Sequence, residues 1–181
     1  TAYAAARLPA EGSLRGDAGE IIASMLSAGL DQNAMRWAPL ADAGSQEWGL
    51  LAHAPPAPAA AVERAALEKF LNNHQSDETR KSGFLLAGLA GLGRVSPETA
   101  DEFAKKLKLD ITRQTRWTGL ISKSAEVNNR ALVALLAGAG MQGSSWAKMT
   151  PLHLYHIVAA LNRVGLDAEA RMIAAEAVAR G

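Results

Sequence analysis

The chain contains no cysteine, which excludes thiol catalysis, disulfide bonds, zinc–thiolate sites and iron–sulfur clusters. It also lacks an excess of either charge, because 19 basic side chains face 18 acidic ones and leave a formal charge of +1. A dedicated nucleic-acid or membrane-surface binder usually carries a clear basic excess. The composition of the whole chain therefore does not predict such a binder.

Long hydrophobic runs are absent as well. The two most apolar stretches are Phe84–Gly93 and Ala131–Met141. Both contain glycine and fall short of the roughly 18 residues that a membrane span needs, so we interpret them as buried helices of a soluble protein. The chain begins at Thr1 rather than at a methionine, which leaves a processed or excised chain and a cytoplasmic or periplasmic location open.

Strand signals are nearly missing, since no run of β-branched residues alternates with polar ones. Apolar residues instead recur every three or four positions, as in Pro151–Val164 and Asp167–Arg180. Ser96-Pro97 and Thr150-Pro151 each place a cap residue before a proline, the usual start of a helix. These patterns predict an all-α fold of about ten helices without a sheet. The predicted helices are 17–29, 32–42, 45–53, 59–74, 77–92, 97–108, 111–122, 125–138, 151–164 and 168–180.

Four apolar segments end near a glycine, at Gly29, Gly91, Gly140 and Gly165, and a polar cap and another helical pattern follow each one. Glycine at such a place can adopt the left-handed conformation that ends a helix. The recurrence predicts stacked αα-hairpins in an irregular α-solenoid, although spacings of 62, 49 and 25 residues fit no strict repeat. A compact orthogonal multi-helix bundle is the alternative. Ser124, followed by Glu126, predicts the start of a further helix.

The domain organisation is expected to be simple. Residues 1–13 are small and polar, which predicts a flexible N-terminal arm. The remainder, 14–181, is interpreted as a single helical-hairpin domain. A proline-rich stretch at 53–58 interrupts it, and we expect a stiff loop between helices there.

Candidate catalytic residues are few. His153 and His156 lie three residues apart on one predicted helix, so both rings can share a face with a nearby acid such as Glu169. Two histidines do not complete a metal site, and no His-Glu-x-x-His pattern is present, so neither a metal nor a cofactor is predicted. No nucleophile elbow or paired carboxylates point to a particular reaction.

A second group of candidates forms a possible binding surface. Between residues 101 and 130, seven basic residues against four acidic ones leave a local charge of +3. The candidates for this surface are Lys105, Lys106, Arg113, Arg116, Trp117 and Trp146. The basic residues and Trp117 could bind nucleic acid or an anionic partner. However, acidic and basic residues four positions apart on a helix are typical of an ordinary solvated face. Trp146 follows the loop 143–145, where a binding residue would be accessible.

Three functions follow from these observations. The first is a non-enzymatic protein–protein interaction or scaffold module, which would bind another protein, a peptide or a second copy of itself. The second is an enzyme, or a helical accessory domain of one, with a site near His153 and His156. The third is weak binding of nucleic acid or another anionic partner through residues 105–130.

Overall fold

The computed structural model describes residues 1–74, 79–142 and 146–181. Within these ranges all regular structure is helical, in eleven α-helices and three short 3₁₀ turns, and no strand occurs. The predicted all-α fold is therefore confirmed. The helices are α1 Ala2–Ala5, α2 Ala18–Leu26, α3 Asp31–Met35, α4 Gln46–Leu51, α5 Arg64–Asn73, α6 Thr79–Gly91, α7 Pro97–Lys106, α8 Arg116–Glu126, α9 Arg130–Gly140, α10 Pro151–Arg163 and α11 Asp167–Arg180. The 3₁₀ turns are Gly12–Asp17, Ala38–Leu40 and Trp146–Lys148.

Local capping signals explain where several helices begin. The hydroxyl of Ser96 accepts a hydrogen bond from the Thr99 backbone N–H at 3.2 Å, directly before Pro97 opens α7. Thr150 accepts from the His153 backbone N–H at 3.3 Å before α10. A cap oxygen accepts from a backbone N–H that has no partner inside the helix. Proline costs no hydrogen bond in the first turn, because backbone N–H groups there have no acceptor within the helix. Both predicted starts are confirmed.

The predicted boundaries around α8 and α9 are wrong by about one helical turn. α8 begins after Thr115, whose hydroxyl and that of Thr118 form a reciprocal capping box. Ser124 does not cap a helix but lies inside α8, where its hydroxyl donates to the Leu120 carbonyl at 2.8 Å. Asn129 caps α9 instead, accepting from the Leu132 backbone N–H at 3.1 Å. A serine can bond back to the preceding turn as readily as it can cap, which is why the pattern misled.

The core is centred on α6. Its residues Phe84–Ala87 and Leu89 are fully buried. α6 packs against α10 and α11, which also pack against each other, while α8 and α9 contact α10 and α2 and α4 contact α11. These contacts join elements far apart in the chain, whereas each repeat of a solenoid contacts only its neighbours. The packing thus fits the compact-bundle alternative better than the solenoid.

Two glycines of α6 are explained by the close contact of neighbouring residues with the helix, and not by a helix end in the left-handed conformation. A Cβ on Gly88 would lie 2.6 Å from Nε2 of His53, and one on Gly91 would lie 2.9 Å from Val158 on α10. Left-handed backbone occurs as predicted at Gly29 and Gly165, with φ of 70° and 75°. Near the end of α6 it occurs at 93 rather than at 91, and α9 ends without it.

Buried charge fixes the proline-rich loop at 53–58. Arg94 is 4% exposed and donates to the carbonyl oxygen of Ala52 at 2.5 Å and to that of Pro55. Burial, together with the neighbouring Arg171, lowers the pKa of Arg94 to about 10, so its guanidinium remains charged at neutral pH. The loop is therefore held from inside by hydrogen bonds to its main chain.

Arg171 on α11 makes the second set of contacts to this loop. It donates to the Ala54 carbonyl at 2.6 Å, forms an ion pair with Asp31, and contacts Asp167 at 3.1 Å. The first and last thirds of the chain are joined here, because Asp31 begins α3 and Arg171 lies in α11. A buried charge is tolerated when it is paired and hydrogen-bonded in this way.

His53 is fully buried beneath the same loop. Its Nδ1–H donates to the Gly49 carbonyl at 2.9 Å, and its Nε2 has no hydrogen-bond partner among the described residues. Burial, reinforced by the charge of Arg94, lowers the pKa of His53 to about 3. The ring is therefore neutral in the folded protein over the physiological pH range.

The N-terminal residues take part in the packing. α1 contacts α2, Ala5 is buried, and Arg36 donates to the Ala6 carbonyl at 2.5 Å. The division into an arm at 1–13 and a domain at 14–181 stays a prediction. Among the helices of the described ranges, none has the combination of length and apolarity that crossing a bilayer requires.

Candidate functional site

α10 carries both predicted histidines, but their rings have different surroundings. His153 is half-buried near the start of the helix, where its Nδ1 lies 2.7 Å from the Thr150 hydroxyl. Its ring packs against that of Trp117 on α8, with centroids 5.3 Å apart. His153 is therefore held by the cap of its own helix and by an aromatic neighbour.

His156, one turn further along, is 4% exposed. Its Nε2 lies 3.2 Å from the carbonyl oxygen of Arg113, and its Nδ1 lies 3.4 Å from the hydroxyl of Ser122. A carbonyl can only accept, so Nε2 carries the proton and Nδ1 accepts from the serine. Burial, with a smaller effect from the nearby His153, lowers the pKa of His156 and favours this neutral form.

A groove of about 300 Å³ opens beside His156, between α8, α10 and the segment that precedes α8. Alanine side chains form part of its surface. Its polar lining includes Gln114, Ser122, Glu126, Tyr155, His156 and Arg163. Opposite charges and neutral hydrogen-bonding groups thus surround a space of the size that small-ligand sites occupy.

The structure does not bring the three predicted catalytic candidates together. His156 lines the groove, but His153 and Glu169 do not, and the exposed carboxylate of Glu169 lies in the first turn of α11. The described residues contain no cluster of three or more histidine, aspartate or glutamate side chains able to hold a metal ion. The Ser122 hydroxyl is hydrogen-bonded to the His156 imidazole, as a nucleophile is to its base in a catalytic triad. The group that orients this imidazole is the backbone carbonyl of Arg113 and not a carboxylate.

The predicted basic surface is divided between two helices and their connection. Lys106, at the end of α7, pairs with Glu68 at 3.0 Å and Glu102 at 3.3 Å, and its ammonium lies 4.7 Å from the Phe103 ring centroid. The side chains of Lys105, Arg113 and Arg116 are exposed. Part of the local positive charge is therefore already neutralised within the protein. Nucleic-acid binding by this segment stays a prediction.

Both tryptophans of the predicted binding surface contribute to packing. Trp117 is half-buried between His153 and the main chain of Gly140, while Trp146 is half-buried and packs edge-on to Phe84 with centroids 6.2 Å apart. The loop at 143–145, on which the prediction for Trp146 depended, lies outside the described residues. A binding role for either ring stays a prediction.

α9 has a surface that differs from those of the other helices. The sequence from 131 to 142 contains no charged residue, yet only Val133 and Ala137 of this helix are buried. Its exposed residues lie on one side, as the helical period places them, and we call them the α9 face. They are Arg130, at the start of the helix, and Ala131, Ala134, Leu135, Gly138 and Ala139.

Other apolar side chains near α9 in the chain are exposed as well. Leu135, within the α9 face, is 69% exposed, and Val127, which follows the last residue of α8, is 75% exposed. Leu120 on the neighbouring α8 is 49% exposed. A helix that is apolar on every side is normally buried, either in a core or against a partner.

Sequence reasoning missed the residues that make the groove and the α9 face distinctive. Ser122, Glu126 and Arg163 belong to no motif, and their convergence follows from the packing of α8 on α10. The α9 face was visible as an uncharged run, Ala131–Met141, but the run was interpreted as a buried helix. Its lack of any polar side was the signal that it could instead face a partner.

No protein-family model, curated protein or solved structure matches this chain.

Proposed function

We propose that this chain is a non-catalytic protein–protein interaction module that associates with a second copy of itself through the α9 face. The observation that supports the proposal is the exposure of a helix without a single charged side chain between 131 and 142. Water-facing helix sides are ordinarily polar, and exposed apolar patches mark interaction sites.

A second copy is the occupant that the chemistry of the α9 face fits best. Because Arg130, at the first residue of the helix, is the one charged residue of this face, two antiparallel copies can meet with these charges at opposite ends of the contact. Alanine and glycine dominate it, so two helices can approach closely around Leu135 and its symmetry mate. Such a contact is isologous, meaning that the same surface serves both partners and the assembly closes as a dimer.

The strength of the association can be estimated from Leu135. Full burial of a leucine contributes about 1.5–3 kcal/mol, and this side chain is 69% exposed before association. Each copy therefore gains roughly 1–2 kcal/mol from this residue alone. An eleven-residue helix offers less than the usual contact area, so we expect a dissociation constant in the range of about 10–100 μM.

The experiment is sedimentation equilibrium or light scattering over a concentration series that brackets that range. Leu135→Asp is expected to abolish the dimer, because it would place two carboxylates in an apolar contact. Tyr3→Asp is the matched control, since Tyr3 is an equally exposed apolar side chain, at 77%, on α1 rather than on α9. Circular dichroism would confirm that both variants keep their helices.

Two results would overturn the proposal. One is a wild-type chain that stays monomeric up to about 1 mM, well above the expected dissociation constant. The other is a dimer that Tyr3→Asp weakens as much as Leu135→Asp, which would place the contact elsewhere or make it non-specific.

A further inference from the structure

We infer that the groove beside His156 binds a small zwitterion, a molecule that carries both an ammonium and a carboxylate group, with a free amino acid as the simplest member of this class. This site is separate in its chemistry from the apolar α9 face. It gives the chain a ligand-binding function in addition to self-association.

The two charges of the groove have opposite signs and come from different helices. Glu126 lies at the end of α8 and Arg163 at the end of α10, and both line the groove. Neither forms an ion pair or a side-chain hydrogen bond with another residue in the described part of the chain. The Arg163 guanidinium can bind a carboxylate in two parallel hydrogen bonds, and the Glu126 carboxylate can accept from an ammonium group.

Neutral groups between these charges are fixed in place. The chain of hydrogen bonds from Ser122 through His156 to the Arg113 carbonyl holds the serine hydroxyl with its hydrogen on the imidazole. The serine oxygen therefore keeps its lone pairs for an ammonium donor in the groove. Because His156 is buried and hydrogen-bonded on both sides, it positions Ser122 and does not add a positive charge that would repel the ammonium.

The same arrangement disfavours ligands with a single charge. A simple carboxylate would bind Arg163 but would be repelled by Glu126. A simple amine would bind Glu126 but would be repelled by Arg163. Like charges in one site raise the free energy of the complex, so the pair selects for molecules that satisfy both groups at once. The volume of about 300 Å³ and the alanine surface suit an amino acid with a small or medium side chain better than a large cofactor.

The experiment titrates the 181-residue chain with alanine and with two analogues that carry a single charge. Propionate lacks the ammonium group of alanine, and ethylamine lacks its carboxylate. Serine, glutamine and phenylalanine extend the series of side chains. Amide chemical shifts from ¹H–¹⁵N spectra report binding and its location. We expect saturable shifts around Ser122 and His156 with at least one amino acid, and about tenfold weaker binding of each single-charge analogue.

Matched variants test the two charged residues. Arg163→Gln and Glu126→Gln are each expected to weaken amino-acid binding about tenfold, which corresponds to one charge-assisted hydrogen bond. Arg116→Gln and Glu169→Gln remove an equally exposed charge of the same sign outside the groove and should bind like the wild type. All four positions are exposed, and circular dichroism verifies the fold.

Three outcomes would overturn the inference. The first is the absence of shifts for every amino acid at about 10 mM. The second is propionate or ethylamine binding as tightly as alanine, which would show that one charge suffices. The third is unchanged binding after Glu126→Gln, which would remove the ammonium contact.

Discussion

Lowering the pH from 7 to 5 is expected to destabilise the folded protein through His53. This ring is fully buried, its Nδ1–H is bonded to the Gly49 carbonyl, and its Nε2 faces the main chain of Gly88. A proton on Nε2 would place a second positive charge beside Arg94 in a fully buried site. His53 therefore stays neutral in the folded state at a pH at which it binds a proton in the unfolded chain.

The magnitude follows from the two pKa values of His53. Burial lowers its pKa from 6.5 to about 3 in the folded state. Between these values the unfolded state binds more protons than the folded state, so the free energy of unfolding falls as the pH falls. The slope approaches about 1.4 kcal/mol per pH unit, and the loss between pH 7 and 5 amounts to roughly 2 kcal/mol.

The assay is urea unfolding followed by fluorescence of the four tryptophans, repeated at pH values from 7 to 5 for the wild type and for His53→Asn. Asparagine keeps a donor for the Gly49 carbonyl but does not titrate. Its smaller volume lowers stability at every pH, which leaves the slope as the quantity to compare. Burial also lowers the pKa of His156, but that contribution is common to both proteins and cancels in the difference.

We expect the free energy of unfolding to fall about 2 kcal/mol more in the wild type than in the variant over this interval. Parallel pH profiles would refute the reasoning, because they would mean that the folded state accommodates a charged imidazole at this position. His153→Gln, at a half-buried ring in contact with solvent, is the control for a general effect of removing a histidine.

Two further predictions concern packing and buried charge. Gly140→Ala should lower the unfolding free energy by about 1–3 kcal/mol, because its Cβ would lie 2.5 Å from the Trp117 ring. Gly138→Ala in the same helix meets no atom within 4 Å and should raise the unfolding free energy by about 0.5–1 kcal/mol. Thermal unfolding would measure both variants, and equal effects would contradict the stated packing. Arg171→Leu should lower the unfolding free energy by about 3–5 kcal/mol, since it leaves the half-buried carboxylate of Asp31 and the buried carbonyl of Ala54 without their partner, while Arg180→Leu on the exposed side of α11 should change stability by less than about 1 kcal/mol. Urea unfolding would measure both variants, and a loss under about 1 kcal/mol for Arg171→Leu would count against the buried network.

The parts of the fold that could be predicted are those decided within a few residues of the chain. Ser96 and Thr150 cap α7 and α10 because a hydroxyl reaches a backbone donor three residues on. Ser124 satisfies the same local pattern, but its hydroxyl donates to the preceding Leu120 carbonyl, since α8 has already begun after its cap residue Thr115. Local chemistry offers both outcomes, and only the surrounding helix decides between them.

The candidate site depended on contacts that no spacing reveals. His153 and His156 have the separation that predicts a shared face, yet each ring is turned by a different remote partner, Trp117 for one and the Arg113 carbonyl for the other. Glu126 and Arg163 meet at one groove because α8 packs on α10. The chain order separates them by 37 positions, so their pairing could be found only in three dimensions.

The contacts of the two buried arginines with the loop also bear on how chains of this architecture can vary. The carbonyls of Ala52, Ala54 and Pro55 must stay within reach of guanidinium groups that come from α11 and from the segment that follows α6. An inserted or deleted residue among them would shift every acceptor out of register. Length changes in homologous chains should therefore fall after Pro55, where residues 56–58 are exposed, whereas the segment from 52 to 55 should keep its length.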